Sequence, residues 1–487
     1  MRRLALALLW ITGCSSEQSY PDAGADSGFA VGVLDSGPGA FDAGPQAPVF
    51  WRLIHHVSGL GTEDELIDLI DAGVQVISPV QSDFQVHQVV ACGDGGFTIA
   101  NPPAGPIYIG LGSTYVVTRE PRIDLSVHDL GRRGLVVSDG GTSLSLSLSG
   151  LDPWTSSDQL ELLSGGAGIR ATLPLPLGQG VTAATVPLSV SALIDSSQGD
   201  VVYAGQLACR PLALDGGTFS SCPLVKAGIL PATTLIDHSQ NQVAVALTGP
   251  PQGSAVIDWP RGDWGVLTSL VAPNASQSTQ YLYIGPVPYT ADFGAYASPP
   301  ELTTLMAQPP APQAVTGTLS FGNPYPATWP LVLQVYQYFS VTLHGNTSYV
   351  TCGYSDLLTR LEGVPLRPLL SPPAGLKVNN LDGTVPHTVV GPVQVSWGPP
   401  AIGTATGYSV EVLQVVPPNS GTLVWVGRVV TSETSVTIPG AFMGIGNVYV
   451  FQVRSMNFGG VSFSRTPFET AFPALWAIAF SGAVTLQ

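Results

Sequence analysis

Apolar and polar residues alternate with a period of two along much of this chain. The stretch Thr142–Gly150 (TSLSLSLSG) alternates leucine with serine, and Gln242–Leu247 shows the same pattern more weakly. In Leu331–Leu343, apolar residues occupy most of one set of alternate positions, while glutamine, tyrosine and threonine occupy much of the other. This period is typical of strands that bury one face. Residues 130–370 are therefore predicted to be β throughout, arranged as one large or two smaller sandwiches.

Abundant turn residues also indicate an all-β fold class, because the 487 residues include 56 glycines and 43 prolines. We expect tandem β-sandwich modules behind a signal peptide and a disordered linker. One short helix is predicted near residues 63–71. There Thr62–Glu65 has the residue types of a helix capping box, aliphatic residues follow, and Gly73 would end the helix.

The first predicted module comprises residues 49–129. Apolar strands and glycine turns alternate through Ala72–Val76, Asp94–Ile99 and Pro103–Gly105. The Asp-Gly-Gly sequence permits a tight turn with positive φ, and the apolar residues after it would alternate inward. Over residues 50–128 this order resembles a carboxypeptidase regulatory-like domain. The resemblance implies a small transthyretin-type β-sandwich, which usually serves as an accessory module and not as a catalyst.

The sequence changes character after a proline-rich joint at Pro365–Gly375. The segments that follow are rich in β-branched and aromatic residues: Val393–Pro400, Tyr408–Val412, Thr434–Ile438 and Tyr449–Asn457. In order, spacing and residue type they resemble a fibronectin type III domain, assigned to residues 371–470. Trp397 is predicted to be a core anchor, and Tyr449 could form the tyrosine corner of such a sandwich. Residues 471–487 are predicted to be an apolar tail or strand.

The first residues have the pattern of a secretory signal. Two arginines precede the apolar run Leu4–Ile11, which is too short to span a bilayer. Ile11–Cys14 (ITGC) then resembles the lipobox of bacterial lipoproteins. The resemblance implies cleavage after residue 13 and a lipid on Cys14; an ordinary signal peptide is the alternative. Ser15 replaces the aspartate that favours inner-membrane retention in that family, which indicates the outer membrane or the cell surface.

Residues 14–48 are predicted to be a disordered tether. Asp-Ala-Gly and Asp-Ser-Gly triplets recur there with prolines between them, and this composition buries too little apolar surface to fold. A flexible chain of this length reaches about 30 Å. The tether is expected to hold the folded part away from a bacterial membrane.

Four cysteines remain beyond Cys14, an even number that suits an oxidising compartment. Cys209 and Cys222 flank the turn sequence Asp215–Gly217, so they could face each other across a hairpin and form a disulfide. None of the cysteines has the spacing of a zinc site. No metal and no cofactor are predicted.

Charge and motifs exclude several classes of function. The net charge is −16, and only 17 residues are lysine or arginine, so no nucleic-acid partner is expected. The sequence contains no nucleophile elbow, HExxH motif, Walker loop or EF-hand loop. The chain is therefore expected not to be an enzyme, and no catalytic residue is assigned.

One loop has residue types suited to ligand binding. In Asp258–Gly265 (DWPRGDWG), Trp259 and Trp264 flank Arg261 and Asp263. Aromatic faces beside hydrogen-bonding groups suit sugar rings or the anchor residues of a protein partner. The Arg-Gly-Asp tripeptide also resembles an integrin-binding motif. The alternative is a structural turn whose tryptophans cap the core.

These observations favour a lipid-anchored envelope protein that acts in binding, adhesion or scaffolding without catalysis. Its partners would be the membrane, through the lipid, and a glycan or protein ligand. Two alternatives stay open. One is a secreted or surface hydrolase with an unrecognised active site in residues 130–370, and the other is a structural subunit of an envelope complex.

Overall fold

The computed structural model describes residues 49–487, except for 60, 82, 93–95, 100–101, 139–140, 191, 289–299, 309–312, 344 and 418–421. The predicted signal peptide, Cys14 and the tether lie outside the described residues. Strand makes up 56% of the structure and helix 5%, which confirms the all-β fold class. In the described part of the chain, no helix is long and apolar enough to cross a bilayer.

The first module consists of short strands. They are β1 (Val49–Trp51), β2 (Leu53–Ser58), β3 (Gly61–Leu66), β4 (Gln75–Val80), β5 (Asp83–His87), β6 (Val89–Ala91), β7 (Phe97–Ile99), β8 (Ile107–Leu111), β9 (Thr114–Thr118), β10 (Arg122–Asp124) and β11 (Val127–Leu130). Two small sheets have the orders β10-β1-β7-β6 and β11-β2-β3, and the remaining strands join a larger sheet. The rings of Phe50 and Phe97 stack in the core with centres 4.6 Å apart.

The helix predicted near residues 63–71 is wrong, because this segment forms strand β3 followed by a turn. Strand β3 pairs antiparallel with β2. His55 Nδ1 lies 2.7 Å from Asp64 Oδ1, and His56 Nε2 lies 2.8 Å from Glu65 Oε2. A short helix gains little from its own propensity. Pairing with the histidine-containing strand satisfies the backbone and places the acidic side chains beside the imidazoles.

The next region is a two-sheet sandwich. Its strands, and the hairpin β17–β18 beside it, are β12 (Ser143–Ser149), β13 (Gln159–Ser164), β14 (Ile169–Pro174), β15 (Ala183–Ser189), β16 (Tyr203–Leu207), β17 (Arg210–Leu214), β18 (Gly217–Ser221), β19 (Leu224–Ile229) and β20 (Gln240–Ala246). Sheets β15-β12-β20 and β14-β13-β16-β19 enclose one core around Trp154. Leu144, Leu146 and Leu148 of β12 are at most 3% exposed, which confirms the predicted burial of one face.

Longer strands and two short helices follow. They are β21 (Gln252–Trp259), α1 (Thr268–Val271), β22 (Ser276–Pro286), β23 (Thr303–Ala307), β24 (Val315–Gly322), β25 (Leu331–Leu343), β26 (Asn346–Leu357) and α2 (Leu358–Leu361). Strands β21 and β24 pair with each other, while β23, β22, β25 and β26 are consecutive neighbours in the largest sheet. The alternation in β25 places Val335, Phe339 and Val341 in the core.

The C-terminal strands form a second sandwich. They are β27 (Pro373–Val378), β28 (Leu381–Asp382), β29 (His387–Val389), β30 (Gln394–Pro400), β31 (Gly407–Val416), β32 (Thr422–Thr431), β33 (Ser435–Thr437), β34 (Val448–Phe458), β35 (Ala474–Phe480) and β36 (Val484–Leu486). The sheet β28-β27-β30-β33 packs on the sheet that contains β31, β32 and β34. Trp397 is 6% exposed in this core. The Tyr449 hydroxyl accepts a hydrogen bond from the Gly444 N–H at 2.6 Å.

One large sheet connects the predicted modules. Along it the strand order is β17-β18-β23-β22-β25-β26-β35-β34-β31-β32-β9-β8-β4-β5. The parallel pairing of β9 with β32 joins the first module to the C-terminal sandwich. The Tyr108 hydroxyl strengthens this junction, because it accepts the Thr437 N–H at 2.9 Å. The long strands β22, β25 and β26 lie in the same sheet.

Candidate functional site

The Asp258–Gly265 segment, predicted to be a ligand-binding loop, forms the end of β21 and the start of a 3-10 helix, and both of its tryptophans are buried. Trp259 is 0% exposed and Trp264 is 1% exposed. The Trp264 indole N–H donates to the Leu366 carbonyl oxygen at 3.0 Å. The binding interpretation therefore fails for the two tryptophans, and the structural-turn alternative describes them. The physical reason is that each indole buries a large apolar area, and the 3-10 helix Arg261–Leu267 turns Trp264 into the core.

Arg261 in the same loop is also buried, at 4% exposure. Its Nε donates to Gln280 Oε1 at 2.6 Å, and its Nη2 donates to the Gln308 carbonyl oxygen at 2.7 Å. Burial lowers the pKa of Arg261. Asp263 forms an exposed ion pair with Arg367 at 3.0 Å. The Arg-Gly-Asp tripeptide therefore does not present its arginine to a partner.

Three of the described cysteines are part of the packed fold. Cys209 and Cys222 form a disulfide with an S–S distance of 2.07 Å at the base of the β17–β18 hairpin. Cys352 is fully buried, and burial raises the pKa of its thiol to about 12. Among the residues that the structure describes, no group of three His, Cys, Asp or Glu side chains could hold a metal ion.

Three tyrosines lie together on the outward face of strands β22 and β25, and we call them the tyrosine cluster. Tyr281 pairs directly with Tyr336 in the antiparallel register, and Tyr338 follows two positions along β25. The alternate residues of β25, including Val335 and Phe339, are buried in the core. The period of two therefore places the tyrosines on the opposite side of the sheet, where all three are half-buried.

The rings of the tyrosine cluster contact one another. Tyr281 and Tyr336 are stacked, with ring centres 5.4 Å apart and planes inclined by 17°. Tyr338 meets both rings edge-on, with its centre 5.4 Å from Tyr281 and 5.5 Å from Tyr336. Such contacts stabilise by about 0.5–1.5 kcal/mol each. The cluster is therefore a preorganised aromatic surface.

The electrostatic environment keeps the tyrosine cluster uncharged. Burial raises the pKa of all three phenols, and that of Tyr336 rises well above its ordinary value. Neighbouring phenols and the Glu301 carboxylate raise the pKa of Tyr336 further. The protonated hydroxyls can donate and accept hydrogen bonds. The other outward side chains described on β22, β25 and β26 are uncharged, and they include Gln334, Ser340 and Thr351.

Glu301 lies near the tyrosine cluster and contacts a second glutamate, Glu161. Glu161 accepts the backbone N–H of Glu301 at 2.7 Å, and the Glu301 carboxylate accepts the Thr304 hydroxyl at 2.6 Å. Burial and the Glu301 charge raise the pKa of Glu161 well above its ordinary value, and Arg170 opposes this rise. Glu161 is 1% exposed, so a substrate cannot reach it in this structure. The pair therefore belongs to the packing between β13 and the segment before β23.

Sequence reasoning placed Tyr336 and Tyr338 on the polar face of β25 but did not select them as a site. The missing information was which strand pairs with β25 and which of its residues lie beside these tyrosines. Tyr281 lies far earlier in the chain, and only the β22–β25 register brings it opposite Tyr336. The available signal was the alternation of tyrosine in two long strands, YLY in β22 and YQY in β25.

Comparisons with known proteins provide little further information. No protein family matches this sequence, and no curated protein matches it. A candidate cell adhesion protein from Bacteroides eggerthii is 12% identical, with a TM-score of 0.15 over 72% of this chain and 98% of that one. Trypsin-activated alpha-2-macroglobulin from Escherichia coli is also 12% identical, with a TM-score of 0.12 over 85% of this chain and 28% of that one. These scores are too low to indicate a shared fold, so we infer function from the contacts within this chain.

Proposed function

We propose that this chain is a non-catalytic, lipid-anchored protein of the bacterial envelope that binds neutral glycans through the tyrosine cluster. The observation that carries the proposal is the preformed aromatic surface of Tyr281, Tyr336 and Tyr338 on an outward sheet face. The buried loop around Trp259 and Trp264 cannot take this role.

The chemistry of the tyrosine cluster suits a sugar. A pyranose ring presents C–H groups on its faces and hydroxyls at its rim. Aromatic rings contact the C–H faces, whereas phenols, amides and hydroxyls bind the rim. Both kinds of group lie on this sheet face. Since the three rings already pack against each other, little side-chain entropy is lost on binding.

Charge favours a neutral ligand over an acidic one. Anionic ligands are usually held by arginine and lysine, and the strands β22, β25 and β26 contain neither residue. The net charge of −16 also opposes the approach of an anionic polymer. The tyrosine cluster therefore fits a neutral glycan better than an acidic one.

The envelope location in this proposal is supported by the sequence alone. The ITGC motif at Ile11–Cys14 would place a lipid on Cys14, and residues 14–48 would act as a tether. We also infer a fibronectin type III domain at residues 371–470 and a regulatory-like domain at 49–129. The packing of two sheets around Trp397 supports the first of these assignments.

A glycan array tests the proposal with an unacylated chain that begins after Cys14 (residues 15–487). The Tyr281→Ala/Tyr336→Ala double variant removes the stacked pair. Trp425→Ala, which alters a 41% exposed tryptophan on β32, is the matched control. We expect wild type and the control to bind neutral glycans and the double variant to lose this binding. Binding confined to acidic glycans, or unaffected by the tyrosine substitutions, would refute the proposal.

The same glycans also test the hydrolase alternative. After incubation with the protein, we expect no new reducing ends. Release of shorter sugars by wild type would establish catalysis instead.

A further inference from the structure

A row of paired residues extends the outward sheet face beyond the tyrosine cluster. Tyr281 pairs with Tyr336, Tyr336 pairs with Gly353 on β26, and Gly353 pairs with Trp476 on β35. Directly opposed residues of antiparallel strands have their side chains on the same side of the sheet. Trp476 therefore lies on the face of the tyrosine cluster, two strands beyond Tyr336.

A hydrogen bond directs the Trp476 indole toward the tyrosine cluster. Its Nε1–H donates to the Thr351 hydroxyl at 3.2 Å, and Thr351 is the residue paired with Tyr338. Trp476 is half-buried, so part of its side chain faces solvent. Gly353 adds no side chain between Tyr336 and Trp476. The structure thus holds a second aromatic group at a fixed place on the same face.

The spacing of the strands sets the length of a ligand that contacts both groups. Neighbouring strands lie about 4.8 Å apart, so the backbones of Tyr336 and Trp476 are about 10 Å apart across the sheet. A ligand that covers both positions therefore extends across the strands. A linear chain of several units, lying across β22, β25, β26 and β35, can do so.

We propose that Trp476 forms a second sugar-binding position and that the ligand is a linear neutral oligosaccharide lying across these strands. This inference depends on the proposed function and adds the length and direction of the ligand. It requires that oligosaccharides long enough to reach Trp476 bind more tightly than disaccharides.

Calorimetric titration of the same unacylated chain (residues 15–487) with neutral oligosaccharides of two to six units, from the cello, xylo and chito series, tests this requirement. We expect wild-type affinity to rise with length by about tenfold, the size of one aromatic contact. Trp476→Ala should abolish the rise while leaving the disaccharide affinity unchanged. Trp476→Phe retains an aromatic ring and should keep part of the rise. Circular dichroism would check that each variant is folded.

Tyr336→Ala separates the failure of this inference from the failure of the proposed function. If Tyr336→Ala weakens binding of every length while folded Trp476→Ala and Trp476→Phe behave as wild type, the second position is disproved and the proposed function stands. If no oligosaccharide binds, or if Tyr336→Ala also behaves as wild type, both are overturned.

Discussion

Replacing Arg261 by alanine tests whether the Asp258–Gly265 loop is a structural turn or a binding loop. The guanidinium group is almost fully buried, and it donates to Gln280 Oε1 at 2.6 Å and to the Gln308 carbonyl oxygen at 2.7 Å. It also lies 5.9 Å from the centre of the Trp259 ring. A binding loop would not enclose its charged group in this way.

The expected effect follows from these contacts. Each hydrogen bond from a charged group contributes about 1.5–3 kcal/mol. Desolvation of the guanidinium opposes this gain, as the lowered pKa of Arg261 shows. We therefore expect Arg261→Ala to reduce the free energy of unfolding by about 3–5 kcal/mol, because Gln280 also loses its buried partner. Arg261→Met keeps the packing of the stem and should lose less, about 1–3 kcal/mol.

Asp263→Ala is the matched control for this prediction. The Asp263–Arg367 ion pair is exposed, and exposed pairs contribute only about 0.2–1 kcal/mol. Urea unfolding followed by tryptophan fluorescence would give a midpoint for each variant. Small and equal shifts for Arg261→Ala and Asp263→Ala would refute the buried-turn interpretation.

Three further predictions concern other parts of the chain. Cys209→Ser/Cys222→Ser should lower the free energy of unfolding by about 3 kcal/mol, because the disulfide spans a sequence separation of 13; a urea midpoint insensitive to reductant would contradict this. Burial and the nearby His55 lower the pKa of His128 from 6.5 to about 4. Between pH 6.5 and pH 4 the unfolded chain binds a proton at His128 that the folded chain does not. The free energy of unfolding should therefore fall by at most about 3 kcal/mol as the pH drops through this range. His128→Gln should flatten the change of the urea midpoint across this window, and a variant as pH-sensitive as wild type would count against the assignment. Labelled palmitate should enter the wild-type protein and not Cys14→Ala, whereas equal labelling would disprove the lipobox.

Strand periodicity predicted the fold class because each strand needs only its own sequence to determine which face is apolar. The leucines of β12 and the apolar residues of β25 are buried as their alternation predicts. The position of Trp397 in the core followed in the same way. Local patterns of this kind are visible without knowledge of the strand partners.

Two expectations failed because tertiary partners decided the outcome. The acidic segment at Thr62–Glu65 has helix-capping residue types, but pairing with β2 places Asp64 and Glu65 beside histidines. The Trp259–Trp264 loop has the composition of a binding loop, but its indoles fill the core. Composition indicates what a side chain can contact, while burial depends on elements far away in the sequence.

The candidate site required long-range register. The sequence places Tyr336 and Tyr338 on the polar face of β25, yet the stacked ring of Tyr281 comes from β22. Trp476 comes from β35, which pairs with β26 near the C-terminal end of the chain. Four strands had to be arranged in order before these aromatic residues formed one surface.

A structure of the protein with a bound neutral oligosaccharide is the most direct test of the central claim. We predict that a sugar ring lies against Tyr281 and Tyr336, with a rim hydroxyl within hydrogen-bonding distance of a phenol of the tyrosine cluster. An oligosaccharide bound elsewhere, with these tyrosines uncontacted, would contradict the account.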